Sequence, residues 1–153
     1  MCIRDRVIAD LWSHAEAESL PGMLWRLYLL RMSLRKQREA YAEYWSLGEP
    51  ETTSASAITG IDDTPTGEDI AQLADSILSG AFTGDFAVAL YRASAFTSII
   101  ARGMRVYTKK LDEQANTMRT QKIAKVLHIS ANIHALSLSF AHGAKLWRAG
   151  KLE

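Results

Sequence analysis

The sequence predicts an all-α protein, a compact bundle of four to five helices in which two long heptad-patterned helices pack antiparallel. Apolar residues recur at helical spacing through most of the chain. Residues that favour helix starts and helix stops separate these segments. No run of alternating β-branched residues, bounded by turn residues, predicts a strand.

Two helices are predicted in the first part of the chain. Apolar residues at helical spacing indicate a short helix over 7–18. Ser19 and Pro21 then form a helix start, because a serine side chain accepts an unpaired backbone N–H and proline has none to pair. This second helix is predicted to continue to Leu47, with Gly48 as a left-handed stop.

Residues 48–66 are predicted to form a long acidic loop, since this stretch carries Thr, Ser, Pro and four acidic residues with little to bury. A connection of this length is usually either functional or disordered, and disorder is the simpler interpretation. Thr66 and Asp69 have the spacing of a capping box, so a helix is expected to start there. Gly80 is the expected end of that helix.

Two heptad patterns fill the second half of the chain. The first begins at Thr83, with Asp85 in its first turn. One helix from Thr83 to Trp147 would be about 98 Å long, so a turn is predicted near 112–120, with Asn116 and Thr117 as its cap. The two patterns comprise Phe86, Leu90, Ala93, Thr97, Ile100, Met104, Tyr107 and Leu111, and Val126, Ile129, Ile133, Leu136, Phe140, Gly143 and Trp147.

The 19 residues between Lys125 and Lys145 carry no formal charge. Histidine, asparagine and serine side chains within this stretch are costly in hydrocarbon, which argues against a membrane helix. A second apolar stripe consists of Leu127, Ala131, Ala135 and Leu138. It predicts a central helix that is buried between two neighbours.

The first six residues, Met1 to Arg6, resemble the translation of a transposon end used in preparing sequencing libraries. They are therefore treated as a non-native tail, and the natural protein is expected to begin upstream. Residues 7–153 are predicted to form a single helical domain. These 147 residues contain 16 basic and 16 acidic side chains, so the domain is formally neutral.

Composition and motifs exclude several kinds of chemistry. Only one cysteine is present, which argues against a disulfide scaffold or a thiolate metal cluster. No serine lies in a nucleophile elbow, and no phosphate-binding loop is complete. Asp10, His14 and Glu18 share one helix face and are a weak candidate metal site. No cofactor is expected, and a metal-dependent enzyme is the third choice of function.

The three histidines on the last helix, at positions 128, 134 and 142, are too far apart along it for any two to chelate one ion. They are expected to be buried or half-buried and bonded to a neighbouring helix.

The charged residues are unevenly distributed. Five basic residues lie on the second helix, and six acids with no base lie between Glu49 and Asp69. A further basic cluster surrounds the predicted turn and consists of Arg102, Arg105, Lys109, Lys110, Arg119, Lys122 and Lys125. The cluster is either an ordinary solvated surface or a binding site for an acidic protein or a nucleic acid.

The segments from Leu20 to Arg31, from Leu78 to Leu90 and from Leu146 to Arg148 resemble small, uncharacterised all-helical actinobacterial proteins. This likeness extends from about Leu11 to Glu153. It implies a cytoplasmic bacterial helical protein without a catalytic motif. The residues themselves give no support to a relationship with the RNA polymerase β subunit.

The expected function is therefore that of a non-enzymatic helical interaction or regulatory protein with a protein partner. The alternative is a nucleic-acid-binding or transcription-associated protein, one associated with RNA polymerase, that binds through the basic cluster.

Overall fold

The computed structural model describes residues 19–48, 65–113 and 117–152. These residues form five helices and no strand, as the sequence predicted. The predicted helix over 7–18, the set of Asp10, His14 and Glu18, and nearly all of the predicted loop lie outside the described residues. Among the described helices, none combines the length and the apolar character needed to cross a bilayer.

Two helices, α1 (Leu20–Lys36) and α2 (Arg38–Gly48), replace the single second helix that the sequence predicted. The predicted start is confirmed, because the Ser19 side chain accepts a hydrogen bond from the Gly22 N–H at 3.1 Å. The break occurs at Gln37, where the backbone leaves the helical region with φ −122° and ψ 40°. Apolar residues continue at helical spacing on both sides of Gln37, so periodicity alone did not reveal the break.

Helix α3 (Gly67–Thr83) begins with the predicted capping box. The Thr66 N–H donates to Asp69 at 2.8 Å, and the Asp69 N–H donates to the Thr66 hydroxyl at 3.2 Å. The predicted end at Gly80 is wrong, because the helix continues through Gly80 to Thr83. A glycine inside a helix reduces its stability without necessarily ending it.

Helix α4 (Phe86–Asp112) and helix α5 (Thr117–Arg148) are the two long helices, and they pack extensively against each other. The cap of α4 is Asp85 rather than Thr83, since the Asp85 carboxylate accepts the Ala87 N–H at 2.9 Å. The predicted turn between the two helices is confirmed by their bounds. Asn116 lies outside the described residues.

The central helix is α4, which packs against α2, α3 and α5. The prediction that the last helix is central is wrong, because α5 packs mainly on α4 and its second stripe is exposed to solvent. That stripe comprises Leu127, Ala131, Ala135 and Leu138. The absence of charged residues between Lys125 and Lys145 therefore does not show that α5 is buried on both sides.

The packed face of α5 is also rotated slightly from the predicted one. Val126 and Phe140 are buried as predicted, but Ile129 is 37% exposed, and the small residues Ser130 and Ser137 are buried instead. The Ser130 hydroxyl donates to the Ala101 carbonyl at 2.9 Å, and the Ser94 hydroxyl donates to the Ser137 carbonyl at 2.7 Å. Small side chains let the two backbones approach closely enough for these hydrogen bonds.

All five helices contribute to the core, and a stacked aromatic pair within it marks the crossing of α2 and α4. Trp45 and Phe96 are both fully buried and stack with their ring centroids 5.6 Å apart. Gly48 and Gly103 form the closest part of this crossing, and a Cβ atom at Gly48 would lie 2.6 Å from the Gly103 nitrogen. Gly48 has no positive φ, so the predicted left-handed stop is wrong. Its role is to allow close packing.

Candidate functional site

Three of the five basic residues of α1 and α2 are paired with acids on α3. Asp75 accepts the Arg31 Nε at 2.9 Å and the Arg35 guanidinium at 2.9 Å. Arg38 pairs with Glu68 at 3.2 Å. These ion pairs hold α1 and α2 against α3, and they neutralise cations that would otherwise attract an acidic partner.

Asp75 also makes stability depend weakly on pH. Partial burial raises the pKa of Asp75, but hydrogen bonds from Arg35 and Arg31 outweigh this effect and lower the pKa below its ordinary range. Stabilisation by Asp75 is therefore complete above the unfolded-state pKa of about 3.9, and it is lost as the pH falls through the lower folded-state value.

We expect Asp75→Asn to reduce the free energy of unfolding at pH 7 by less than about 1 kcal/mol, because 44% of the Asp75 side chain is exposed. Urea denaturation at several pH values measures the effect. The difference between wild type and variant is expected to shrink below about pH 4. A difference that grows on acidification would contradict the assigned ion pairs.

The predicted basic cluster lies at the end of the hairpin formed by α4 and α5. Its described side chains are exposed, and none of them forms an ion pair with a described residue. The side chain of Arg119 is not among those described. Besides Lys122, the described members are Arg102, Arg105, Lys109, Lys110 and Lys125.

Three members of the cluster share one face of α4. Arg102, Arg105 and Lys109 have the spacing i, i+3 and i+7, which places them in one row about 10 Å long. We call this row the basic stripe. It lies roughly opposite Gly103 and Tyr107, two of the residues through which α4 contacts α2. All three side chains of the basic stripe are exposed among the described residues.

Lys122 does not share this surface. Its ammonium group lies 5.5 Å from the centroid of the Tyr107 ring, on the side of α4 that faces α2. A hydrogen bond with Tyr107 raises the pKa of Lys122 above its ordinary range. The seven predicted cations therefore do not all face one way.

A row of three tyrosines leads from Lys122 into the structure. Tyr107 and Tyr44 meet edge to face at 5.6 Å, and Tyr44 meets Tyr41 in the same manner at 6.4 Å. Burial raises the pKa values of Tyr41 and Tyr44, and the Tyr41 hydroxyl lies 2.6 Å from the Ser33 hydroxyl. This row was missed in the sequence, although Tyr41 and Tyr44 have the spacing of neighbours on one helix face.

The histidines of α5 differ from expectation. His128, His134 and His142 are exposed rather than buried against a neighbouring helix. The His128 ring contacts the Asn132 amide of its own helix at 3.5 Å. In the described part of the chain, no three His, Cys, Asp or Glu side chains are grouped to hold a metal ion.

An open groove of about 310 Å³ lies between α1 and α3. It is lined by Arg31, Asp75, Leu78, Ser79 and Phe82. Its two charged residues already bind each other, so the groove offers a ligand mainly apolar contacts. The basic stripe is the more distinctive candidate surface.

No protein family, curated protein or solved structure matches this chain.

Proposed function

We propose that this chain is a non-enzymatic helical interaction protein that binds an acidic protein partner through the basic stripe. The observation that carries the proposal is a contrast between two basic regions. Arg31, Arg35 and Arg38 are paired with acids on α3, whereas the basic stripe is exposed and forms no ion pair with a described residue. Unpaired exposed charges steer an oppositely charged partner more than they stabilise a fold.

An acidic protein suits this surface better than a nucleic acid does. The basic stripe has three cations over about 10 Å, and the acids Asp112 and Glu113 follow it directly. The whole chain has a formal charge of only +1. Proteins that bind nucleic acid through phosphate contacts usually carry a larger basic excess, so nucleic acid is the second candidate.

The proposal predicts that reversing two charges in the basic stripe abolishes partner binding without unfolding the protein. Arg105→Glu combined with Lys109→Glu is expected to lose the partner that wild type captures from a native lysate at low salt. Both side chains are exposed, so the melting temperature should change little. Affinity capture with mass spectrometry, together with thermal melts, provides the measurement.

A matched control carries the same change in net charge elsewhere. Lys36→Glu combined with Lys151→Glu alters two other exposed lysines and should retain the partner. Capture by wild type should also decline at high salt, because screening weakens exposed charge pairs. Identical captured proteins for both double variants would overturn the proposal. If capture of the partner depends on the basic stripe but nuclease treatment abolishes it, nucleic acid becomes the favoured partner instead.

A further inference from the structure

A row of α5 side chains borders the same side of the hairpin as the basic stripe. On α4 the stripe continues at helical spacing through Ser98 to Tyr91. The α5 row has the same kind of spacing, and its last member, Arg148, lies 5.7 Å from the centroid of the Tyr91 ring. The two rows therefore run side by side. The α5 row consists of Leu127, His134, Leu138, Lys145 and Arg148.

The opposite side of the hairpin faces α2. Tyr107 of α4 meets Tyr44 of α2, and Lys122 of α5 lies over the Tyr107 ring. The two rows therefore lie on the side away from α2, where all of their members are exposed except Tyr91, which is half-buried. We use the name hairpin face for the basic stripe together with Leu127, His134 and Leu138.

Hydrogen bonds between α4 and α5 set the levels of the two rows. Ser130 donates to Ala101, and Ser94 donates to Ser137, so the helices are antiparallel. On this register Leu127 lies level with the stretch between the first two cations of the basic stripe. Leu138 lies about 16 Å further toward the start of α4, and the hairpin face is about 24 Å long. One end is cationic around a leucine, and the other end is apolar.

The hairpin carries a large excess of basic residues. Helices α4 and α5 each contain five Lys or Arg, and Asp112 is the one acid within their bounds. The formal charge of the whole chain is only +1, so the compensating acids lie elsewhere in the sequence. A second copy would bring an equally basic hairpin against this one, whereas an acidic partner would be attracted to it.

We infer that the acidic partner binds the hairpin face with an amphipathic α-helix, an inference that rests on the proposed function. Packed helices lie about 8–10 Å apart, so neighbouring rows on α4 and α5 border a site for a third helix between them. Acids at i, i+3 and i+7 on one edge of that helix meet the basic stripe. Apolar residues on the next edge cover Leu127 and Leu138. A helix of about 16 residues spans the face.

The two leucines favour a helix over a nucleic acid. A phosphate backbone is bound by cations and hydrogen-bond donors and has no use for apolar side chains. Leu127 is 43% exposed and Leu138 is 60% exposed, so both can lose apolar surface to an apolar edge of the partner. This part of the binding should persist at salt concentrations that screen the basic stripe.

Fluorescence polarisation with two labelled synthetic peptides tests the inference. Both are stapled helices of about 16 residues with the same composition. The first has glutamates at i, i+3 and i+7 on one edge and leucines on the next, and the second mixes glutamates and leucines on both edges. Wild type should bind the first at least about tenfold more tightly than the second. Equal affinity for the two peptides would overturn the inference.

Paired variants test the two halves of the hairpin face. Leu127→Ala combined with Leu138→Ala should weaken binding of the first peptide at least about fivefold. The control is Leu29→Ala combined with Met32→Ala, since these α1 residues are similarly exposed, at 43% and 47%, and its affinity should equal that of wild type. Unchanged binding by the first variant, or an equal loss in the control, would overturn the inference.

Charge exchange tests the contact with the basic stripe. Arg105→Glu combined with Lys109→Glu should lose the first peptide and should bind a version with lysines in place of its glutamates. Failure of this exchange would contradict the assigned contact. Tighter binding of wild type to a DNA duplex, or to vesicles of phosphatidylcholine and phosphatidylglycerol in equal parts, than to the first peptide would also overturn the inference.

Capture from a native lysate separates this inference from the proposed function. Loss of the partner in the basic-stripe variant, with full retention in the leucine variant, would overturn the helical contact and leave the proposed function standing. Retention of the partner by the basic-stripe variant would overturn both. Loss in both variants, with retention in the α1 control, is the result expected.

Discussion

Replacing Gly103 with Ala is expected to lower the free energy of unfolding by about 3 kcal/mol. A Cβ atom at position 103 would overlap the Tyr44 carbonyl oxygen and lie 2.6 Å from the Tyr44 carbonyl carbon. Because both atoms belong to the backbone of α2, no side-chain rotation relieves the overlap. Helices α2 and α4 would have to separate, which would loosen the stacked pair of Trp45 and Phe96.

Gly80→Ala is the matched control for this prediction. Gly80 also lies inside a helix, but a Cβ atom there would meet nothing within 4 Å. Alanine is favoured over glycine in a helix interior by up to about 1 kcal/mol, so this variant should be slightly more stable than wild type. Chemical denaturation measures both variants. A Gly103→Ala protein as stable as wild type would contradict the close crossing of α2 and α4.

Local signals in the sequence predicted the fold class and several helix ends. Ser19 and the pair of Thr66 and Asp69 cap the helices as expected, because capping depends on residues only two or three positions apart. The glycines were harder to interpret. Gly48 and Gly103 permit a close helix crossing, a role that depends on which distant helix lies opposite and leaves no local pattern.

The candidate site was predictable only in part. The sequence identified the basic residues near the hairpin turn, and it grouped Lys122 with Arg102, Arg105 and Lys109. It could not show that Lys122 lies against Tyr107 on the side of α4 that faces α2, or that Asp75 and Glu68 pair with Arg31, Arg35 and Arg38. Both outcomes depend on contacts between residues that are far apart in the chain.

Phe140→Ala is expected to lower the free energy of unfolding by about 3–5 kcal/mol, the usual cost of emptying a large buried aromatic site. Phe140 is 0% exposed and belongs to the core, on the face of α5 that packs against the bundle. Its loss would leave a cavity in the packing between α5 and the rest of the bundle. Urea denaturation measures the effect.

Leu138→Ala tests whether α5 is buried on one face or on two. Leu138 is only two residues from Phe140, but 60% of it is exposed, so the free energy of unfolding should change by less than about 0.5 kcal/mol. A helix buried on both sides, as the uncharged stretch predicted, would instead lose several kcal/mol at both positions. The contrast between these two variants therefore decides whether α5 is an outer helix with one packed face or a central helix with two.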